Sequence, residues 1–242
     1  MRYIYGPVKS RRLGLSLGIS LNPYKICSFD CIYCQLGRTH NLVSQRDEYL
    51  KIEGIISELK SWLAANPKEA GDLSYITLSG CGEPTLNVKI GALIQEIKKI
   101  TSIPVAAITN SSLLRDALVR NALSSADLII PSLNTVSSDI FLEINRPAAD
   151  IKIEDIIEGL AALRKEFRGK IWLEIMLVKG VNDDIRQIRK LKEAIERINP
   201  DKVQLNSPVR TTAEENVLPL DKKKLEKIQE ELGDKCEIVY NP

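Results

Sequence analysis

The chain has 242 residues, of which 44% are apolar, 27% charged and 5% aromatic, a composition that excludes disordered, fibrous and membrane-embedded classes. A domain of this length buries roughly 70–75% of the surface its unfolded chain exposes, so the five cysteines are free for work other than disulfide stapling. The net charge of +2 is too small to mark the whole chain as a nucleic-acid binder. No apolar run reaches the ~18 residues of a membrane span, the N-terminus carries no signal-like apolar stretch, and a cytoplasmic protein is expected.

Short β-rich runs alternate with longer runs of helical period. In chain order they are a strand over 15–21, a helix near 48–65, a strand over 74–80, a helix near 88–100, a strand over 104–110 and a helix near 112–123. A strand over 127–133, helical segments at 137–144 and 153–167, a strand over 170–178, a helix near 184–198, a strand over 202–206 and a helix near 221–231 follow. Six strands joined by helical crossovers imply a parallel sheet. The length favours an α/β fold closed as a partial (βα)6 TIM-like barrel, with a doubly wound open sheet as the alternative. No linker, low-complexity tract or short repeat divides the chain, so residues 1–242 are expected to form one domain.

Three strands alternate sharply. Leu15, Leu17, Ile19 and Leu21 oppose Ser16, Gly18 and Ser20; Ile171, Leu173, Ile175 and Leu177 oppose Trp172, Glu174 and Met176; Val203 and Leu205 oppose Gln204 and Asn206. Parallel strands buried on both faces read as nearly continuous apolar runs. Here one face is expected to meet the helices, while the other, small and polar, lines an interior with room for a ligand.

Cys27, Cys31 and Cys34 form C-x3-C-x2-C directly after the first strand. Cytosolic thiols stay reduced and an odd trio cannot pair fully, which points to metal. His40, the chain's one histidine, would complete a Cys3His zinc site. A [4Fe–4S] cluster held by three thiolates would instead leave one iron open to a small molecule. By spacing alone, Cys81 or Cys236 remains eligible as a fourth ligand.

The motif CSFDCIYC, with Tyr33 just before the last cysteine, resembles the signature of the radical S-adenosylmethionine (SAM) enzymes. The resemblance implies an open iron that binds the amino and carboxylate groups of SAM, and reductive cleavage that generates a 5′-deoxyadenosyl radical for hydrogen abstraction. An electron donor such as flavodoxin or ferredoxin is implied with it. Gly80-Cys81-Gly82-Glu83-Pro84 looks like the family's GGEP motif, with Cys81 in the place of the first glycine, so that Glu83 and the neighbouring backbone would hold the methionyl ammonium. Thr109-Asn110-Ser111 resembles Thr-Asn-Gly, and Ser132-Leu133-Asn134 resembles Ser-Leu-Asp. Asn110, Ser132 and, at the end of the last strand, Asn206 are thus candidate SAM contacts, with a helix N-cap as the ordinary alternative for the first two.

The resemblance runs from about residue 12 to about residue 210, leaving a C-terminal helix and strand over 211–242. Residues 177–183 resemble a loop of the molybdenum-cofactor GTP cyclase branch. The second cysteine triad of that branch is missing, and neither a second cluster nor cyclase activity carries over. The N-terminal segment and CQLGRT look closest to stand-alone members grouped with wyosine-type tRNA synthases.

Glu174 is costly to bury among apolar neighbours without a partner. It is expected to face SAM or substrate, with a structural ion pair as the competing reading. Residues 1–46 hold seven basic side chains against one acid, Asp30, which suggests an anionic partner, thiolates needing compensation, or a solvated surface. Arg11, Arg12 and Arg210 are candidate anion contacts because guanidinium forks fit phosphate and carboxylate. A tRNA nucleoside, a peptide or protein glycine and a small metabolite are the candidate substrates, the scarcity of aromatics counting against RNA. A non-catalytic zinc-nucleated RNA-binding module is the alternative from another class.

Overall fold

A hairpin opens the fold. In the computed structural model, which describes residues 2–239, β1 (Ile4–Ser10) runs antiparallel to β2 (Gly14–Ser20). The cysteine segment follows, bracketed by the two-residue strands β3 (Ile26–Cys27) and β4 (Asn41–Leu42). Then come α1 (Ile52–Ala65), α2 (Pro67–Asp72), β5 (Tyr75–Ser79), a 3-10 turn at Pro84–Leu86, α3 (Ile90–Ile100), β6 (Val105–Thr109) and α4 (Ala117–Leu123). The chain continues through β7 (Leu128–Pro131), α5 (Ser138–Ile144), α6 (Ile153–Glu166), β8 (Lys170–Met176), α7 (Ile185–Ile198), β9 (Lys202–Asn206), α8 (Lys222–Leu232) and β10 (Cys236–Ile238). Residue 1 and residues 240–242, the ends of the expected single domain, lie outside the described residues.

The sheet order is β1-β2-β5-β6-β7-β8-β9-β10, parallel throughout except for the first pair. Two apolar clusters separate its faces. Leu17 and Ile19, Ile76 and Leu78, Val105 and Ala107, Ile129, Ile171 to Ile175 in alternation, and Val203 and Leu205 pack with the apolar stripes of the helices. In α7 that stripe is Ile188, Leu191, Ile195 and Ile198, at helical spacing, with Asp184 capping the N-terminus by accepting from the Arg186 N–H. The opposite face carries a cluster with no helical member: Leu13, Ala106, Leu128 and Ile130, flanked by Tyr75, Ile108 and Trp172. Helices therefore cover one face only, which excludes the doubly wound alternative.

The sheet also curls. β2 and β8 stand four places apart, roughly 19 Å in a flat sheet, yet the Nη1 of Arg12, two residues before β2, lies 2.6 Å from Glu174 on β8. The turn of the first hairpin thus crosses the interior of a partial barrel. This corrects one expectation about that interior. β2, β8 and β9 present small and polar residues to it, but β6 and β7 present Ala106, Ile108, Leu128 and Ile130, and with Leu13 and Trp172 they fill part of it with an apolar plug.

The helix expected from residue 112 begins only at Ala117, where Asp116 caps it through the Leu118 N–H. Residues 110–115 are used otherwise. Ser111 takes a left-handed φ of 71°, its Oγ donates to the Ser132 carbonyl (2.8 Å), and the backbone turns there instead of starting a helix.

Candidate active site

The cysteine loop is clamped from three sides. Gly82 bridges Ile26 so closely that a Cβ on Gly82 would lie 1.7 Å from the Ile26 carbonyl oxygen, and the Glu83 N–H donates to that same oxygen (3.1 Å). Glycine is thus required where β5 hands over to the cysteine strand. From the far side, Asp30 N–H donates to the Asn145 carbonyl (3.0 Å) and Ile32 N–H to the Ile144 carbonyl (3.1 Å). Phe29 meets Phe141 edge-on at 5.5 Å. From the loop after β9, Glu214 N–H donates to Ile32 (3.1 Å), and its carboxylate pairs with Arg38 (2.6 Å) and Arg146 (2.5 Å).

Within this clamp Cys27, Cys31 and Cys34 are free thiols. Burial raises the Cys27 thiol far above its ordinary value, and burial pushes Cys31 up to about 11. Two sulfurs accept amide hydrogens: Asn110 Nδ2 donates to Cys27 Sγ (3.7 Å) and Asn145 Nδ2 to Cys31 Sγ (3.3 Å). Among the described residues no three His, Cys, Asp or Glu side chains converge tightly enough for a single metal ion. A four-iron cluster is larger and takes its thiolates further apart. His40 is exposed. Cys236 is buried in the apolar core on β10, where burial first, and Glu237 second, push its thiol up to about 12.

Glu83 is 2% exposed, and all its partners are neutral. Oε1 accepts from Thr85 N–H (3.1 Å), Thr85 Oγ1 (2.6 Å) and Thr109 Oγ1 (2.7 Å), whereas Oε2 accepts only from Asn110 N–H (2.7 Å). Burial outweighs these donors and raises its pKa. Pro84, in the next position, opens the 3-10 turn that brings the Thr85 N–H round to the carboxylate. Gly80, directly after β5, has φ 104°. Cys81 donates its N–H to Ser20 Oγ (3.2 Å).

Glu174 lies in a second polar centre. Its carboxylate takes the Arg12 guanidinium (2.6 Å), Ser132 Oγ (3.2 Å) and Asn206 Nδ2 (3.1 Å). Burial pushes its pKa up, but Arg12, Asn206 and Ser132 together outweigh that and hold it below the usual carboxylate range. Residues 12 and 174, expected separately to meet substrate anions and SAM or substrate, are therefore each other's partners, as the ion-pair reading had it. Ser132 and Asn206 turn their polar groups onto the same carboxylate.

Residues 21–192 match the family model described as the radical SAM superfamily. The chain belongs to that superfamily and is an enzyme. A UPF0026 protein of Methanocaldococcus jannaschii is 37% identical over 219 residues, covering 90% of this chain and 67% of its own. A Brachyspira hyodysenteriae protein named GTPase Obg is 41% identical over 235 residues, covering 97% of this chain and 34% of its own, so this chain spans about a third of that relative. Among solved structures, TYW1 with a lysine-pyruvate adduct superposes with a TM-score of 0.66 at 20% identity, covering 90% of this chain and 72% of that one, a likeness of fold. No helix among the described residues is long and apolar enough to cross a membrane.

The radical SAM motifs thus assemble at the ends of β5, β6 and β7. Asn110 joins two of them, with its backbone on Glu83 and its side chain on Cys27 and on Ser28 Oγ (2.8 Å). Tyr33 turns inward, its hydroxyl accepting from Asn134 Nδ2 (2.7 Å) and Asn145 Nδ2 (3.4 Å). Asn110, Ser132, Asn134 and Asn145 line one small cavity. Arg210 reaches back to the cysteine loop, donating to Gln35 Oε1 (2.6 Å). The pKa of Arg11 is lowered by burial and then by the nearby charges of Arg12 and Arg210, so the three arginines share one region. The 177–183 loop is structural: Asn182 Oδ1 accepts from Val178 N–H (2.8 Å), and Nδ2 donates to the Asn134 and Met176 carbonyls (2.8 and 2.9 Å). Asn145 and Thr85 carried no signal in the sequence, where a lone Asn or Thr shows no spacing; Thr109 and Asn134 stood in the motifs Thr109-Asn110-Ser111 and Ser132-Leu133-Asn134.

Proposed function

We propose that this enzyme binds one [4Fe–4S] cluster through Cys27, Cys31 and Cys34 and SAM beside it, and uses them for radical hydrogen abstraction from an anion-bearing substrate. The observation that carries this reading is Asn110, which ties the Glu83 carboxylate and the Cys27 sulfur into one hydrogen-bonded unit. The donor set fits the group. Three thiols sit on one clamped loop, those of Cys27 and Cys31 raised in pKa by burial, so that a metal would be needed to hold them as thiolates, and three ligands leave one coordination position open.

When bound, such a cluster supplies the electron that splits SAM into methionine and a 5′-deoxyadenosyl radical. The chain's own residues position and bind. Glu83, buried with neutral donors only, has Oε2 available for the methionyl ammonium. Gly80, Gly82 and Pro84 shape that turn, and Tyr33, Asn110, Ser132 and Asn206 surround the space beside it. Glu174, paired with Arg12, holds Ser132 and Asn206 in place. Arg11 and Arg210 serve the substrate's anionic group, and the basic first 46 residues favour a tRNA nucleoside over a peptide or metabolite. Flavodoxin or ferredoxin is the class of electron donor.

The test is anaerobic reconstitution. About four irons per chain, a reduced-state EPR spectrum that changes on adding SAM, and 5′-deoxyadenosine release support the reading. Stoichiometric zinc without iron, lost on His40→Ala, supports the zinc module instead.

A further inference from the structure

Lys25 is 4% exposed, two residues before Cys27. Its Nζ donates to the Gly37 carbonyl, on the turn that Gly37 N–H closes onto the Cys34 carbonyl (3.1 Å). Among the described residues no carboxylate pairs with it. Burying an ammonium without a counter-charge costs several kcal/mol, so its position calls for an anion that the polypeptide does not itself supply. Through its bond to Gly37, Lys25 reaches the turn that ends the cysteine triad. On the same loop the Cys31 sulfur accepts from Asn145 Nδ2 at 3.3 Å. Asn145 is 4% exposed and is fixed by the bond from Asp30 N–H to its carbonyl. A buried cation and an amide donor therefore both reach the cysteine loop from inside the protein, the cation at Gly37 and the amide at the Cys31 sulfur.

Resting on the cluster assignment above, we propose that Lys25 and Asn145 set the reduction potential of the cluster held by Cys27, Cys31 and Cys34. A cluster on three thiolates is net negative and gains a further charge on reduction. Charges and hydrogen bonds on its sulfurs shift the couple, and a cation or donor favours the more negative, reduced state. Asn145 acts through the Cys31 sulfur and Lys25 through its charge beside the loop, and both make the cluster reducible by a weaker donor. The competing role for Lys25 is a mechanical tether on Gly37, which would affect cluster retention but not potential.

The experiment is an EPR-monitored redox titration of the reconstituted full chain and of Lys25→Met and Asn145→Leu. At a fixed poise the ratio of reduced to oxidised cluster is expected to fall roughly tenfold in Lys25→Met, about 59 mV for one electron, and about threefold in Asn145→Leu. If both variants hold their iron with unchanged ratios, the proposal is overturned. If Lys25→Met fails to retain iron, Asn145→Leu decides, because it leaves the Gly37 contact untouched: a lowered ratio supports the proposal and an unchanged one overturns it. A wild-type chain that takes up no iron removes the cluster assignment and this inference together, whereas intact clusters with unshifted potentials remove this inference alone.

Discussion

Glu83 and Glu174 are both buried carboxylates facing the barrel's polar region, and their surroundings differ in one respect. Glu174 has its cation within the chain, and its pKa is lowered. Among the described residues Glu83 has four neutral donors and no cation, and its pKa is raised. An ion pair that closes on itself holds a structure together, while a carboxylate left short of positive charge is prepared for a cationic guest. On the proposed function the ion pair at β8 contributes cohesion and the carboxylate at the end of β5 is the ammonium site, although the sequence presents the two acids alike.

The sharpest way to break this contrast is Glu174→Gln. It leaves a mostly buried Arg12 without its counter-charge and is expected to cost about 2–4 kcal/mol of stability, between the values for buried and exposed pairs, with SAM affinity changed far less; chemical denaturation alongside SAM titration checks both. Glu83→Gln reverses the pattern. SAM affinity is expected to drop about 10- to 150-fold, the ~1.5–3 kcal/mol of a hydrogen bond to a charged group, read by calorimetry on the reconstituted enzyme.

pH separates the two acids further. Because the folded pKa of Glu174 is lowered, its stabilisation is complete above the unfolded value of about 4.3 and is lost as pH falls through the folded value. The stability gap between wild type and Glu174→Gln is therefore expected to close in acid. Glu83 has the opposite shift, so SAM affinity is expected to start falling above the ordinary carboxylate range as the pH is lowered, and in Glu83→Gln this dependence is expected to vanish. The smallest effect concerns substrate: an Arg11/Arg210 double-Ala variant is expected to bind tRNA with a salt slope shallower by about 2, and equal slopes would turn the substrate toward a peptide or metabolite.

Much of the fold was legible because the six parallel strands β2 and β5 to β9 carry clear apolar patterns. β1 was not, since Gly6, Pro7 and Lys9 interrupt any alternation, and an edge strand needs only one partner. α2, six residues behind Pro67, is too short to show a period. At the site, the cysteines were legible from spacing that chemistry requires, and Glu83 from its likeness to a family motif. The pairing of Arg12 with Glu174 was not, because it depends on how far the sheet curls, a property of all the strands together. Asn145 was equally silent: its importance comes from the end of α5 being laid against the cysteine loop.

The clamp on that loop also dictates timing. Two of the surfaces that grip Cys27, Cys31 and Cys34, residues 144–146 and 214, are made more than a hundred residues after them. At synthesis rates of roughly 5–20 residues per second, the thiols wait on the order of ten seconds or more before their enclosure exists. On the proposed function the enclosed metal site exists only once the barrel is complete, and a nascent chain stalled before the end of β9 would present three unguarded thiols to any oxidant or competing metal.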